Sequence, residues 1–243
     1  MNLVIDWGNT FIKAGRFSGD TLVENFTIRQ EAEVLAWLEA QKPEYVLVSS
    51  VGEISEKFFT ESKKYSEISY LTPETSLPIQ NLYSTPRTLG MDRLASAVGA
   101  FHLFPGQSCL IIDAGTCITL DFLDAQGSFQ GGNITLGLQM RFKALKEFTA
   151  KLPLVTIDAF ENTTLTGKST QEAIYNGVVN GLTGEILFTV EQYRNLYPNL
   201  CVLLCGGDAE FLASRLKVPI FATPTLNLIG LNRILQDNVP QNL

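Results

Sequence analysis

The chain has 243 residues, 45% of them hydrophobic and 18% charged, enough to bury a sizeable core in one large domain or two small ones. Its net charge of −7 and pI of about 4.8 disfavour a general nucleic-acid binder, which shows a basic face, but allow a small anionic substrate in a locally positive cleft. No apolar run reaches the length of a membrane span, and the N-terminus opens on a strand-like segment rather than a secretion signal, so a cytoplasmic protein without a membrane anchor is expected.

The first element is a strand–turn–strand from Val4 to Arg16, VIDWGNTFIKAGR. An apolar run ends in Asp6, a polar corner follows at Gly8, Asn9 and Thr10, and a second apolar run leads to Lys13. Gly8 has no Cβ to keep backbone N–H groups away from an anion. Asp6 is suited to Mg²⁺, directly or through water, and Lys13 to a phosphate. A third strand is expected over Thr21 to Ile28, then a helix from Glu31 to Gln41. Tyr45 to Ser50 reads as a strand buried on both faces, and Ile54 to Tyr65 as a second helix.

From Leu71 to Gly90 the periodicity breaks around Pro73, Pro78 and Pro86, the signature of a functional loop. It leads into Met91, Asp92 and Arg93 at the head of a helix, whose stripe is Leu94, Ala97, Val98, Phe101 and Phe104. Anion binding is favoured at such a helix start. The competing account of Asp92 is an acid that complements the helix dipole. His102, the single histidine, falls in this apolar helix and suits packing rather than catalysis. Pro105 and Gly106 mark a boundary between expected domains at 1–106 and 107–243.

The second half opens like the first. Ile112, Asp113, Ala114, Gly115 and Thr116 repeat the order Ile-Asp-x-Gly-polar of Ile5 to Asn9. A duplicated strand–turn–strand points to two similar domains with both turns aimed at one ligand. A strand from Gly127 to Ile134 and a helix from Leu138 to Phe148 follow. The sequence TGKST at 166–170 ends like a phosphate-binding loop, but Asn162 stands where the earlier glycine belongs, so a helix cap at Ser169 or Thr170 is the better account. The long helix from Gln171 to Tyr197 carries Gly177, Gly181 and Gly184, a spacing that admits a close neighbour. A strand at Leu200 to Leu204, Gly206-Gly207-Asp208, a helix to Leu216, a strand at Pro219 to Ala222 and a last helix from Leu226 to Gln236 complete the chain. Cys109, Cys117, Cys201 and Cys205 form no C-x-x-C pair and read as reduced thiols.

The duplicated Asp-x-Gly hairpin and the late Gly-Gly-Asp resemble the actin-like, sugar-kinase and Hsp70 ATPase superfamily. Within it, DWGNTFIK from Asp6 to Lys13, GMDR from Gly90 to Arg93, DAGTCITLD from Asp113 to Asp121 and GGDAEFL from Gly206 to Leu212 resemble the type III pantothenate kinases. The resemblance implies an α/β fold of two ribonuclease H-like domains, each a mixed sheet flanked by helices, with a cleft between them. It further implies ATP-dependent phosphorylation of pantothenate, the first step of coenzyme A biosynthesis.

Residue by residue, it gives ATP and Mg²⁺ to Asp6, Trp7, Gly8, Asn9, Thr10, Phe11, Ile12 and Lys13, with Thr116 as a further ATP contact. It gives the general base to Asp92, pantothenate to Tyr83, Gly90, Met91, Asp92, Arg93 and Thr170, and a monovalent cation, K⁺ or NH₄⁺, to Asp113. It places Thr170 near a homodimer interface. One departure stands out: Leu136 occupies the usual proline position of GGxIxPG, here GGNITLG. Two alternatives stay open, a kinase or phosphatase of the same superfamily with another small substrate, and a non-catalytic regulator of that fold. The acidic charge argues against a nucleic-acid partner.

Overall fold

The computed structural model describes residues 1–8, 11–50, 52 and 54–240, and these group into two compact units. The first comprises Met1–Gly106, Leu123–Gly131 and the chain from Thr225 onward; the second comprises Gln107–Phe122 and Gly132–Pro224. The fold class is α/β, with two sheets and helices packed on them.

In the first unit, strands β1 (Asn2–Trp7), β2 (Ile12–Ser18) and β3 (Thr21–Ile28) form an antiparallel meander. Strand β4 (Tyr45–Ser50) pairs parallel with β1, and β5 (Glu67–Tyr70) parallel with β4, giving the order β3-β2-β1-β4-β5. The continuous apolar runs of β1 and β4 suit central strands covered on both faces. Helix α1 (Glu31–Gln41) buries Val34 and Leu38 and stops where Lys42 turns left-handed (φ 42°) ahead of Pro43, which cannot continue a helix. Helix α2 (Glu56–Ser62) is capped by Ser55, whose hydroxyl accepts the Phe58 N–H and donates to Glu31 at 2.6 Å. It is shorter than the expected Ile54–Tyr65 helix, and β5 replaces part of the segment that follows.

Helix α3 (Met91–Leu103) packs against α7 (Leu226–Asn238), the last helix of the chain. The two backbones approach at a pair of glycines. A Cβ built at Gly99 would overlap the Leu226 carbonyl oxygen, and one at Gly230 the Ala95 carbonyl oxygen. Strand β6 (Gln80–Asn81) pairs parallel with the start of β9 (Ser128–Leu136), which ties the irregular Leu71–Gly90 segment to a sheet edge.

The second sheet has the order β11-β10-β7-β8-β9-β6, built with β7 (Cys109–Ala114), β8 (Cys117–Leu123), β10 (Cys201–Cys205) and β11 (Phe221–Ala222). Leaving β6 aside, it repeats the first sheet: a three-strand run, then two strands added in parallel beside its first member. The duplication seen in the two Ile-Asp-x-Gly turns is thus a duplication of topology. Helices α4 (Leu138–Glu147), α5 (Thr170–Leu196) and α6 (Ala209–Leu216) cover this core. Ser169 caps α5 by accepting the Glu172 N–H at 3.2 Å, while Glu172 accepts the Lys168 N–H at 2.7 Å. The TGKST segment therefore serves as a helix start. Cys109, Cys201 and Cys205 are buried, Cys117 is exposed, and all four are free thiols. No helix among the described residues is long and apolar enough to cross a membrane.

Candidate functional site

The first turn places Asp6 and Lys13 directly opposite each other in the β1–β2 register, so their side chains rise from the same face of the sheet. The Gly8 N–H donates to the Phe11 carbonyl at 3.1 Å and closes the corner. Trp7 stands edge-on to Phe58 at 5.0 Å, Ile12 lies in the core, and Phe11 is exposed with the Arg29 guanidinium 5.1 Å from its ring. Any ligand contact from Ile12 is thereby limited to its backbone. Asn9 and Thr10 lie outside the described residues.

Gly90 is the N-cap of α3, with Met91 and Asp92 in its first turn. A Cβ at residue 90 would sit 2.5 Å from Asp92 Oδ1, so the missing side chain leaves room for the carboxylate. That oxygen accepts the Arg93 N–H at 2.9 Å. Arg93 is 7% exposed, and its guanidinium carbon lies 5.5 Å from the Tyr83 ring and 5.9 Å from the Phe129 ring. Tyr83 reaches this position because its segment pairs with β9: the Leu82 N–H donates to Phe129 O, and the Tyr83 N–H to Asn81 Oδ1, both at 3.0 Å. The structure thus brings together Tyr83, Gly90, Met91, Asp92 and Arg93. Phe129 is the member that no motif marked; its fully buried side chain reads in sequence as ordinary strand core.

In the second unit, three turns converge on Asp113. The Gly115 N–H donates to the Cys117 carbonyl at 3.0 Å, closing a turn one residue shorter than the one at Gly8. Gly206, at φ +93°, leaves no room for a Cβ, which would lie 2.5 Å from Asp113 Oδ1 and overlap the Ala114 carbonyl. The Asp208 N–H donates to that carbonyl at 2.9 Å. Gly137 packs on the carbonyls of Gly115 and Thr116 so closely that a Cβ would overlap both, and its N–H donates to Thr116 O at 3.1 Å. This contact exists with Leu136 in place of the proline. Leu136 is 43% exposed, and its carbonyl accepts a hydrogen bond from Arg141 Nε at 2.9 Å. Thr116 and Thr170 are both exposed, the latter as the first residue of α5.

Burial alone raises the Asp208 carboxyl above its ordinary value, which keeps that end of the Gly-Gly-Asp turn readier to hold a proton. Among the described residues no three His, Cys, Asp or Glu side chains cluster as a metal site. Mg²⁺ is commonly held by one or two carboxylates together with waters and substrate phosphates. Asp113, near the end of β7, supplies a carboxylate, an oxygen ligand of the kind that suits a hard cation.

A family model described as type III pantothenate kinase matches residues 2–192. Among curated relatives, a type III pantothenate kinase of Cytophaga hutchinsonii is 47% identical over 98% of this chain and 100% of its own length. One of Flavobacterium johnsoniae is 41% identical over 97% and 98%. Solved structures with a similar fold include a conserved putative Baf family transcriptional activator from Campylobacter jejuni, at TM-score 0.62, 22% identity and 97% and 98% coverage. A ROK hexokinase from Thermus thermophilus aligns at TM-score 0.55 and 13% identity over 98% and 99% of the two chains. The fold is therefore that of the actin-like sugar kinases, and the chain belongs to the type III pantothenate kinase family.

Proposed function

We propose that this protein transfers the γ-phosphoryl group of ATP to the 4′-hydroxyl of pantothenate, opening coenzyme A biosynthesis. The observation that carries the reading is the Asp92–Arg93 pair at the head of α3, beside Tyr83, in a chain of this family. Asp92 acts as general base. It takes the hydroxyl proton as that oxygen attacks the γ-phosphorus, the bond to the β-phosphate oxygen breaks, and ADP departs with the electron pair. Arg93 pairs with the substrate carboxylate, and its contacts with two aromatic rings hold the guanidinium in one direction.

Lys13 would neutralise the triphosphate from the same sheet face as Asp6, which would hold Mg²⁺, and Thr116 would contact ATP. Bound Mg²⁺ would spread the charge that builds on the phosphate oxygens. A K⁺ or NH₄⁺ ion at Asp113 would add to that neutralisation. The protein works in the cytoplasm, without a nucleic-acid or membrane partner, as a homodimer. In support of the dimer, Ala173, Gly177, Gly181, Gly184 and Phe188 make one exposed stripe on α5, continuous with Thr170.

The test is ADP release by purified protein with ATP, Mg²⁺ and K⁺, with and without pantothenate. Pantothenate-dependent release with phosphopantothenate found by mass supports the reading. Turnover with a sugar or acetate alone would overturn the substrate, and no turnover with any acceptor would overturn the enzyme.

A further inference from the structure

Strand β9 places two residues against the substrate-recognising side chains of the first unit, and neither carries a reactive group. Phe129 is fully buried, so it cannot touch a substrate, yet its ring lies 6.4 Å from the Tyr83 ring and 5.9 Å from the Arg93 guanidinium carbon. Gly131, two residues on, sits at φ +101°. A Cβ built there meets only the Tyr83 ring, at 3.1 Å from Cδ2 and 3.3 Å from Cε2. We infer that Phe129 and Gly131 are positioning residues that set the Tyr83 ring and the Arg93 guanidinium, and through them the affinity for a small aliphatic carboxylate. The inference rests on the proposed pantothenate site.

The physical argument starts from freedom. Arginine is among the side chains with the most rotamer entropy, and a tyrosine ring turns about two bonds. The β6–β9 hydrogen bonds fix the backbone around Tyr83 but leave its ring free to swing. The missing side chain of Gly131 leaves room for the ring in its present place, which a Cβ would crowd, and the Phe129 ring lies 6.4 Å from it. Arg93 then lies against two ring faces and keeps its charge in one place. The charge is placed before the substrate arrives, so less ordering is needed on binding.

A double-mutant cycle separates this role from simple backbone strain. Gly131→Ala, Tyr83→Ala and the double variant are assayed for KM of pantothenate, KM of ATP and kcat. Gly131→Ala is expected to raise the pantothenate KM about tenfold while the ATP KM stays within about twofold. In the Tyr83→Ala background the same change is expected to move the pantothenate KM by less than about twofold, because the ring it meets is gone while the φ remains. Equal effects in both backgrounds would show backbone strain and overturn the inference, as would no effect in either.

Phe129→Leu keeps the apolar bulk but removes the ring. It is expected to raise the pantothenate KM about fivefold without changing the ATP KM. An unchanged pantothenate KM would remove Phe129 from the role. Should Tyr83→Ala itself leave the pantothenate KM unchanged, the site reading falls, and the inference with it. Should Tyr83→Ala raise it while the cycle is additive, only the inference falls.

Discussion

Replacing Gly230 by alanine should test whether the head of α3 is held in place by α7. In the parent protein the two helices touch backbone to backbone: a methyl group at residue 230 would overlap the Ala95 carbonyl oxygen and lie 2.7 Å from Ala95 C and 2.8 Å from the Gly99 nitrogen. Carbon atoms rest at roughly 3.5 Å or more, so the helices must part by on the order of 1 Å, and a gap of that size forfeits about a quarter to a half of each contact along the seam. Beside this approach α3 buries Leu94, Ala95 and Val98, and α7 buries Leu226, Leu231 and Ile234. Overpacking of this kind costs about 3 kcal/mol at the upper end of its usual range. Alanine's better helix propensity returns about 1 kcal/mol. The remaining loss, about 2 kcal/mol, corresponds to a fall in Tm of about 4–8 °C for a chain of this size. Thermal melts followed by circular dichroism at 222 nm would read it, with kinetics on the same samples. Because Asp92 and Arg93 ride on α3, the pantothenate KM should rise more than the ATP KM. A melt within about 1 °C of the parent would refute the reasoning, since no relaxation short of moving a helix removes a clash with a carbonyl.

Asp92→Asn should lower kcat by about 10²–10⁴-fold with ATP binding retained, measured by single-turnover phosphorylation and nucleotide titration; a near-normal kcat removes Asp92 as base. Arg93→Ala should raise the pantothenate KM far more than the ATP KM, and equal effects on both would count against its carboxylate role. Activity should require K⁺ or NH₄⁺ and largely vanish in Na⁺ alone, with Asp113→Asn weakening the cation's apparent affinity; full activity in sodium would sink the ion site.

At the β8–β9 turn, partial burial alone would raise the Asp124 carboxyl. Hydrogen bonds from the Ser128 N–H (2.8 Å), the Gln130 side-chain amide (2.8 Å) and the Gln126 N–H (3.0 Å) outweigh it and hold the carboxyl below its ordinary value. A carboxyl lowered on folding stabilises above its unfolded value and loses that contribution as pH falls through the folded one. Asp124→Asn should therefore cost about 1 kcal/mol at pH 7, solvent screening limiting the effect, and the gap in urea midpoint should narrow below about pH 4. A gap that does not change with pH would contradict this.

The sequence carries the chemistry of the site more openly than its placement. The two Ile-Asp-x-Gly turns are legible because β1 and β7 are apolar runs that end abruptly in a carboxylate, and the repeated strand order follows from them. Strand β5 escapes notice because EISY is short and lies at a sheet edge with every second residue exposed, where no apolar run is needed. The C-terminal end of α2 blurs for a related reason, since Lys63 and Lys64 after it suit a helix or a turn equally well.

Glycine is the harder case. The glycines of α5 promise a close neighbour, yet a Cβ at Gly177, Gly181 or Gly184 meets nothing within 4 Å in the chain itself. Gly99 and Gly230 give no such hint in the sequence and are where two backbones touch. A glycine records that a side chain is missing, not what fills the space, and the answer lies in a segment far along the chain. Asp92 and Arg93 announce themselves as GMDR, but α7 holds their helix and β9 holds the tyrosine beside them. Local motifs thus carry the candidate groups, while the elements packed beside them come from far along the chain. Substitutions at Gly131, Gly230 or Phe129 should accordingly change affinity without changing which chemistry the protein performs.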